Sequence, residues 1–375
     1  MKHAEHHGYE VVVGQLSPGA ALDQYVVKGC LGNGGMALVY EAEDTVLCRP
    51  VAIKMLSVLW SADSSVRSRF MREARAAATL RHPNVVAVFE VGRYRETPYL
   101  VMECLQGESL SQLLLREGPR SVQQTADLLL PVLSAMAAAH ALGIVHRDLK
   151  PENIFLSRSE SGVITPKVLD FGISKMLLPS HDSDITRSDV LLGTPNYMAP
   201  EHVEGKEQID ARSDIFSLGV VMYECVTGER PFAASSLHAI LEAIVSHHPP
   251  PPSELSAKVS REFSDIVMRA LSKKADRRYP DVRELGAALL PFASARTKLM
   301  FEQDFVPSAA PQRAGRRLAR SLRRASYLGL GLALLGGAAW VSYHFGKGRV
   351  EPTGRAEVER DRTAVPTTHE SVEQR

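Results

Sequence analysis

HRDLKPEN, residues 146–153, and KVLDFGIS, residues 167–174, are the two runs on which the reading of this 375-residue chain turns, and GTPNYMAPE follows at residues 193–201. Any single carboxylate among them could be a helix cap or a surface charge; their company along the chain gives them weight. The runs sit in a region, Ser109 to about Phe292, where helical patterns dominate. One helix start is marked by Ser121 with Gln124 three residues on, a capping-box pattern. SDIFSLGVVMYECVTG, from Ser213, is apolar on nearly every side, which suits a helix at the centre of a lobe.

Upstream the texture changes. From Tyr25 to about Leu105 short β-rich runs (VVKGCLG, ALVYEAED, PVAIKML, VVAVFEVG, PYLVMEC) are broken by one charged, alanine-rich stretch, Ser64 to Leu80. A small sheet with one helix is expected there. LGNGGMALVY, residues 31–40, taken alone is a weak glycine-loop pattern, because hairpins use glycine for the same conformational freedom. VAIK at residues 51–54 strengthens it by setting Lys54 on an apolar strand, where a buried ammonium needs a partner. Glu73, in RFMREA on the expected helix, is the candidate; such a pair would hold Lys54 against the α- and β-phosphates of a nucleotide.

Glycine loop, VAIK, HRDLKPEN, DFG and APE occur in the order and spacing of the eukaryotic-type protein kinases, and the sequence resembles that family over about residues 25–292. The resemblance implies an α+β, bilobal fold with a small β-rich N-lobe (25–105) and a larger helical C-lobe (106–292). It implies a nucleotide site formed by Leu31, Gly32, Asn33, Gly34, Gly35, Met36, Ala37 and Val39 of the loop, by Ala52, Lys54 and Glu73, and by Met102, Glu103 and Leu105 at the gatekeeper and hinge. Asp148 would accept the proton of the substrate hydroxyl, Lys150 would sit near the transferred phosphoryl group, and Asn153 and Asp170 would hold Mg²⁺, with Mn²⁺ as a substitute. Phe171 would pack inward and Gly172 let the backbone turn. Asp214 would bond the catalytic-loop backbone and Glu201 would pair with Arg278. Ala37 departs from the pattern, standing where the family has a third glycine; a methyl group that keeps φ negative weakens nucleotide affinity without abolishing it.

Lys150 and Thr194 resemble the serine/threonine branch, in which both flank the substrate hydroxyl. The implied activity is transfer of the γ-phosphoryl group of ATP to Ser and Thr of proteins, the chain itself included. Thr186 and Ser188, between DFG and APE, resemble regulatory phosphosites. A phosphate there, carrying about −1.5 to −2 charges, would meet Arg147. The rival reading, a nucleotide-binding scaffold without catalysis, is opposed by the presence of Lys54, Glu73, Asp148, Asn153 and Asp170 together.

Composition excludes other classes. Lys plus Arg number 44 against 43 Asp plus Glu, so no global charge points to nucleic acid. Cys30, Cys48, Cys104 and Cys225 form no CxxC pair and read as reduced, buried thiols. His3, His6 and His7 read as part of a solvated terminal extension, residues 1–24, in which no secretory signal is expected.

Beyond Phe292 a basic linker (293–324) leads to a 21-residue run without Asp, Glu, Lys or Arg, residues 325–345, then to a mixed-charge tail, 346–375. At ~1.5 Å per residue that run reaches across a ~30 Å hydrocarbon layer, so a single transmembrane helix is expected. The competing apolar run, Ala126 to Val145, contains Asp127, Pro131 and His140 and reads as a buried lobe helix. Arg313, Arg316, Arg317, Arg320, Arg323 and Arg324 precede the span, and four Lys or Arg fall in the fifteen residues after it. That bias and the need for ATP set the kinase domain in the cytoplasm, anchored to the cell membrane, with a short extracytoplasmic tail. The arginines lack interleaved aromatics, which favours lipid headgroups over nucleic acid. Gly329, Ala333 and Gly337 form a small-residue stripe suited to homodimerisation through the span.

Overall fold

The computed structural model describes residues 16–34, 36–171, 195–206 and 209–306. Its N-terminal part is a six-stranded antiparallel sheet in the order β1-β2-β3-β4-β6-β5. The strands are β1 (Ala21–Leu22), β2 (Tyr25–Asn33), β3 (Ala37–Asp44), β4 (Arg49–Leu56), β5 (Val88–Tyr94) and β6 (Thr97–Glu103). Alternation sorts their side chains: Leu38, Tyr40, Ile53 and Val101 join a core on one face. Leu56 and Leu100 on the other pack with Met36 under Val66, Phe70 and Ala74 of helix α2 (Ser64–Thr79), which follows the single-turn α1 (Val58–Ser61). Asp63 caps α2 by accepting from the amides of Ser65 and Val66.

A second sheet, β7 (Gly107–Ser109), β8 (Ile154–Arg158) and β9 (Ile164–Val168), opens the larger lobe. Its helices are α3 (Leu110–Glu117), α4 (Val122–Ala141), α5 (Pro200–Val203), α6 (Ala211–Thr227), α7 (Leu237–Ser246), α8 (Pro252–Leu255), α9 (Arg261–Ala270), α10 (Val282–Leu289) and α11 (Ala295–Phe305). The capping box at α4 is present: the Gln124 amide donates to Ser121 Oγ (3.1 Å) and the Ser121 amide to Gln124 Oε1 (3.0 Å). The run that competed as a membrane span falls largely on α4, whose Ala126, Leu129, Leu130, Val132, Leu133, Ala135 and Met136 are buried in the lobe core. α6 is enclosed on all sides, from Ile215 to Val226, and stops at Gly228 in the left-handed region.

Two expectations need correcting. The thiols are not uniformly buried: Cys225 is, Cys104 is half-buried, and Cys30 and Cys48 are exposed. Cys30 lies on the outer stretch of β2, where the pairing with β3 shifts register, and Cys48 occupies a turn at φ 48°. Nor does the lobe stop at Phe292. α11 continues it, with Phe305 buried against Gly286 of α10 and Ser294 donating from N and Oγ to Asp127 of α4 (2.9 and 3.0 Å). The shift to polar and small residues after Phe292 marked this segment as linker, although Leu299, Met300, Phe301 and Phe305 lie within it. Among the described residues no helix is long and apolar enough to cross a membrane. The basic run 313–324, the expected span 325–345 and the tail lie outside the described residues, as do His3, His6 and His7.

Candidate active site

The loop 146–153 hangs from one buried carboxylate. Asp214, in the first turn of α6, accepts from the amides of His146 and Arg147 (both 2.8 Å) and from His140 Nε2 (2.8 Å). Burial acts to raise its pKa, but the His140 hydrogen bond, the nearby imidazoles and the loop amide outweigh it and hold the carboxyl below its usual range. Arg147, gripped this way, adopts φ 66°, a conformation a bulky residue keeps only when its surroundings impose it. His146 is fully buried: Nε2 faces the Leu169 carbonyl (2.7 Å), Nδ1 accepts from the Asp148 amide (3.2 Å), and its ring lies 4.9 Å from that of Phe171. These contacts weld the loop to the strand leading into DFG.

On that support Asp148 presents a nearly buried carboxylate. Lys150 Nζ donates to its Oδ2 (2.9 Å), and Asn153 Nδ2 donates to both its backbone carbonyl (2.8 Å) and Oδ2 (3.1 Å). With the Asn153 amide nitrogen committed to Asp148, its side-chain oxygen is the atom left for a cation. The Leu169 amide bonds the Asn153 carbonyl (2.9 Å), which brings Asp170 alongside. Two hard oxygen donors of this kind fit Mg²⁺ or Mn²⁺.

The smaller lobe supplies the other wall. Strand register sets Val39 opposite Lys54 and Ala52 opposite Met102, so these four share the sheet face turned away from the Leu38–Tyr40–Ile53 core. Leu31, Gly32, Asn33 and Gly34 are exposed at the rim, whereas Met36 folds inward onto the α2 core. Ala37 keeps a negative φ, as the sequence reading required, and its carbonyl accepts from the Gly34 amide (3.0 Å), which closes the loop.

Lys54 is where the arrangement differs from expectation. Its Nζ pairs with Asp170 Oδ1 at 2.7 Å, not with Glu73. Both carboxylate oxygens of Glu73 are buried and have no hydrogen-bond partner among the described residues. Burial raises its pKa to about 7, against the opposing influence of Arg72, Arg147 and Arg69. Asp170, which the lysine meets, stands at φ 52°.

At the hinge, Met102, Glu103 and Leu105 are half-buried. The Glu103 amide donates to the Ala87 carbonyl (2.9 Å), while its carboxylate takes Lys167 Nζ (2.9 Å) and the Ala87 amide (3.3 Å). Sequence reasoning passed over Lys167, although a lysine three residues before Asp170 on an apolar strand posed the same question as Lys54. Glu201 and Arg278 form the expected pair, doubly bonded at 2.7 Å and fully enclosed. Gly35, Gly172, Thr186, Ser188 and Thr194 lie outside the described residues.

A general model of the protein kinase domain matches residues 25–285, which takes in every one of these side chains. The chain belongs to the protein kinase family. Curated relatives include serine/threonine-protein kinase PknB of Mycolicibacterium smegmatis, 39% identical over 273 residues, and a probable serine/threonine-protein kinase of Corynebacterium efficiens, 39% identical over 275. These alignments cover 72% and 71% of this chain but 43% and 41% of the relatives, so the kinase spans well under half their length. Among solved structures, the PknI kinase domain of Mycobacterium tuberculosis superposes with a TM-score of 0.58 at 26% identity, covering 74% of this chain and all of that one.

Proposed function

We propose that this chain is an ATP-dependent serine/threonine protein kinase that transfers the γ-phosphoryl group to Ser and Thr hydroxyls of proteins, itself included. The observation that carries the proposal is Asp148, held between Lys150 and Asn153 on a loop suspended from buried Asp214. A bound Mg²⁺ would neutralise charge on the phosphates, and Asn153 and Asp170 are the residues that would hold it. Asp148 orients the substrate hydroxyl and receives its proton. Lys150, already on the Asp148 carboxylate, brings a positive charge to the place where the phosphoryl group passes. Lys54 serves the α- and β-phosphates once its pairing with Asp170 is exchanged for the nucleotide. Preference for Ser and Thr is supported by Lys150, by Thr194 in the sequence and by the names of the relatives.

Regulation through Thr186 or Ser188 is supported from one side: among the described residues Arg147 Nε is buried without a hydrogen-bond partner, and a phosphate oxygen suits such a donor. For location, the supporting feature is the sequence. The uncharged run 325–345 after six arginines favours a single-pass anchor in the cell membrane, kinase domain in the cytoplasm, as part of a signalling pathway. Dimerisation through Gly329, Ala333 and Gly337 belongs to the same reading.

Incubation with γ-labelled ATP and Mg²⁺ should place acid-stable label on Ser or Thr of this chain and of a generic acceptor protein. Folded protein that neither binds nor consumes ATP would overturn the proposal. Label confined to tyrosine would overturn its specificity.

A further inference from the structure

α11 lies beyond the segment matched by the family, yet its last turn reaches a chain of hydrogen bonds that ends on the strand leading to Asp170. Ser134, buried on α4, donates its hydroxyl hydrogen to Asp304 Oδ2 at 2.5 Å. The same hydroxyl oxygen faces His82 Nε2 at 3.1 Å. His82 Nδ1 accepts from the Asn84 amide (3.1 Å), so Nε2 carries the ring hydrogen and donates to Ser134. The donors therefore run in one direction, from the Asn84 amide through the imidazole and the hydroxyl to the Asp304 carboxylate.

The other side of the His82–Val86 loop grips β9. Asn84 Nδ2 donates to the Pro166 carbonyl (2.9 Å), the Asn84 carbonyl accepts from the Val168 amide (2.8 Å), and the Val86 amide donates to the Val168 carbonyl (3.0 Å). Val85 and Val168 thus form a parallel bridge, while Ile154 of β8 pairs with Val168 from the opposite side. Asp170 follows two residues later.

Apolar packing accounts for the docking of α11 without any of this. Phe305 fills the notch over Gly286, and Arg283 ties the Asp304 carbonyl (2.6 Å). The Asp304 carboxylate is half-buried and forms no ion pair among the described residues, so its terminal place in an ordered relay is a separate feature. We infer that Asp304 is a positioning residue: through Ser134 and His82 it holds the 82–86 loop against β9 and thereby sets where Asp170 stands. The inference rests on the reading of Asp170 as a metal ligand given above.

The test uses the full chain in three forms, Asp304→Ala, Asp304→Asn and Ser134→Ala. Backbone hydrogen exchange is followed in nucleotide-free protein, and Mn²⁺ binding is followed by electron paramagnetic resonance with a non-hydrolysable ATP analogue. Asp304→Ala and Ser134→Ala are expected to speed exchange in residues 164–171 and to weaken Mn²⁺ binding, each by about three- to tenfold. The KM for a peptide acceptor should stay constant. Asp304→Asn, which keeps an acceptor oxygen for Ser134, should behave as wild type. Since Ser134→Ala leaves α11 intact, it decides the matter even where Asp304→Ala fails to fold. Wild-type exchange and Mn²⁺ affinity in folded Ser134→Ala protein would overturn the inference. Absence of Mn²⁺–nucleotide binding in the wild type would instead strike the kinase reading, with the exchange data still reporting on the relay.

Discussion

Glu73 and Glu201 are both withdrawn from water, and their carboxyl groups end on opposite sides of the ordinary value. For Glu201 burial pushes upward, but the Arg278 fork and the Ser213 hydroxyl win, and its pKa falls to about 2. For Glu73 nothing among the described residues donates, and the value climbs to about 7. The consequences for stability differ in sign. The lowered Glu201 contributes stability above the unfolded value of 4.5 that is lost as pH falls toward 2. The raised Glu73 leaves the folded state holding a proton that the unfolded chain has released, so stability drops as pH rises from 4.5 to about 7. Thermal melts of nucleotide-free Glu73→Gln protein should therefore lack a decline that wild type shows across that window; parallel melting curves would refute the assignment. Asp148→Asn keeps the shape and the Asn153 hydrogen bond but removes the proposed base. Turnover should fall by about 100-fold or more with the KM for ATP little changed, as steady-state kinetics would show.

At the scale of elements, α11 and α10 meet where side-chain volume has been given up. A Cβ on Gly286 would lie 2.2 Å from Phe305 Cδ1, so Gly286→Ala must lift α11 or shift α10. Such overpacking costs about 1–3 kcal/mol, to be read from urea denaturation, and limited proteolysis should then cut within residues 293–306. An unchanged denaturation midpoint with protease resistance retained would show that the notch yields more easily than its geometry says. The Glu201–Arg278 pair joins α5 to the turn before α10 and is satisfied on every side, since Arg278 also donates to the Ser272, Arg212 and Lys273 carbonyls. Arg278→Leu leaves a buried carboxylate without its cation, a loss of about 3–5 kcal/mol by chemical denaturation.

For the whole molecule, the two lobes are bridged at the hinge by the Glu103–Lys167 pair and behind it by the Asn84–Val168 contacts. A nucleotide bound between them stabilises the folded state by mass action, by about 2.7 kcal/mol at a hundred times its Kd. Calorimetry should show that upward shift with Mg²⁺–ATP in wild type and little of it in Lys54→Met or Asp170→Asn protein. Much of this was legible beforehand for local reasons. Strand alternation, the Ser121 capping box and the enclosed α6 follow from spacing along a few residues, and the catalytic loop, DFG and APE runs carry their chemistry in near neighbours. By itself the sequence determined the bilobal fold and the family, and it named the carboxylates proposed for the site. Only the tertiary structure decided that Lys54 turns to Asp170 instead of Glu73, that α11 completes the larger lobe, and that Asp304 reaches His82 through Ser134. Each of those depends on distances between segments far apart in the chain, where competing partners differ by a few ångströms and no periodicity records the winner.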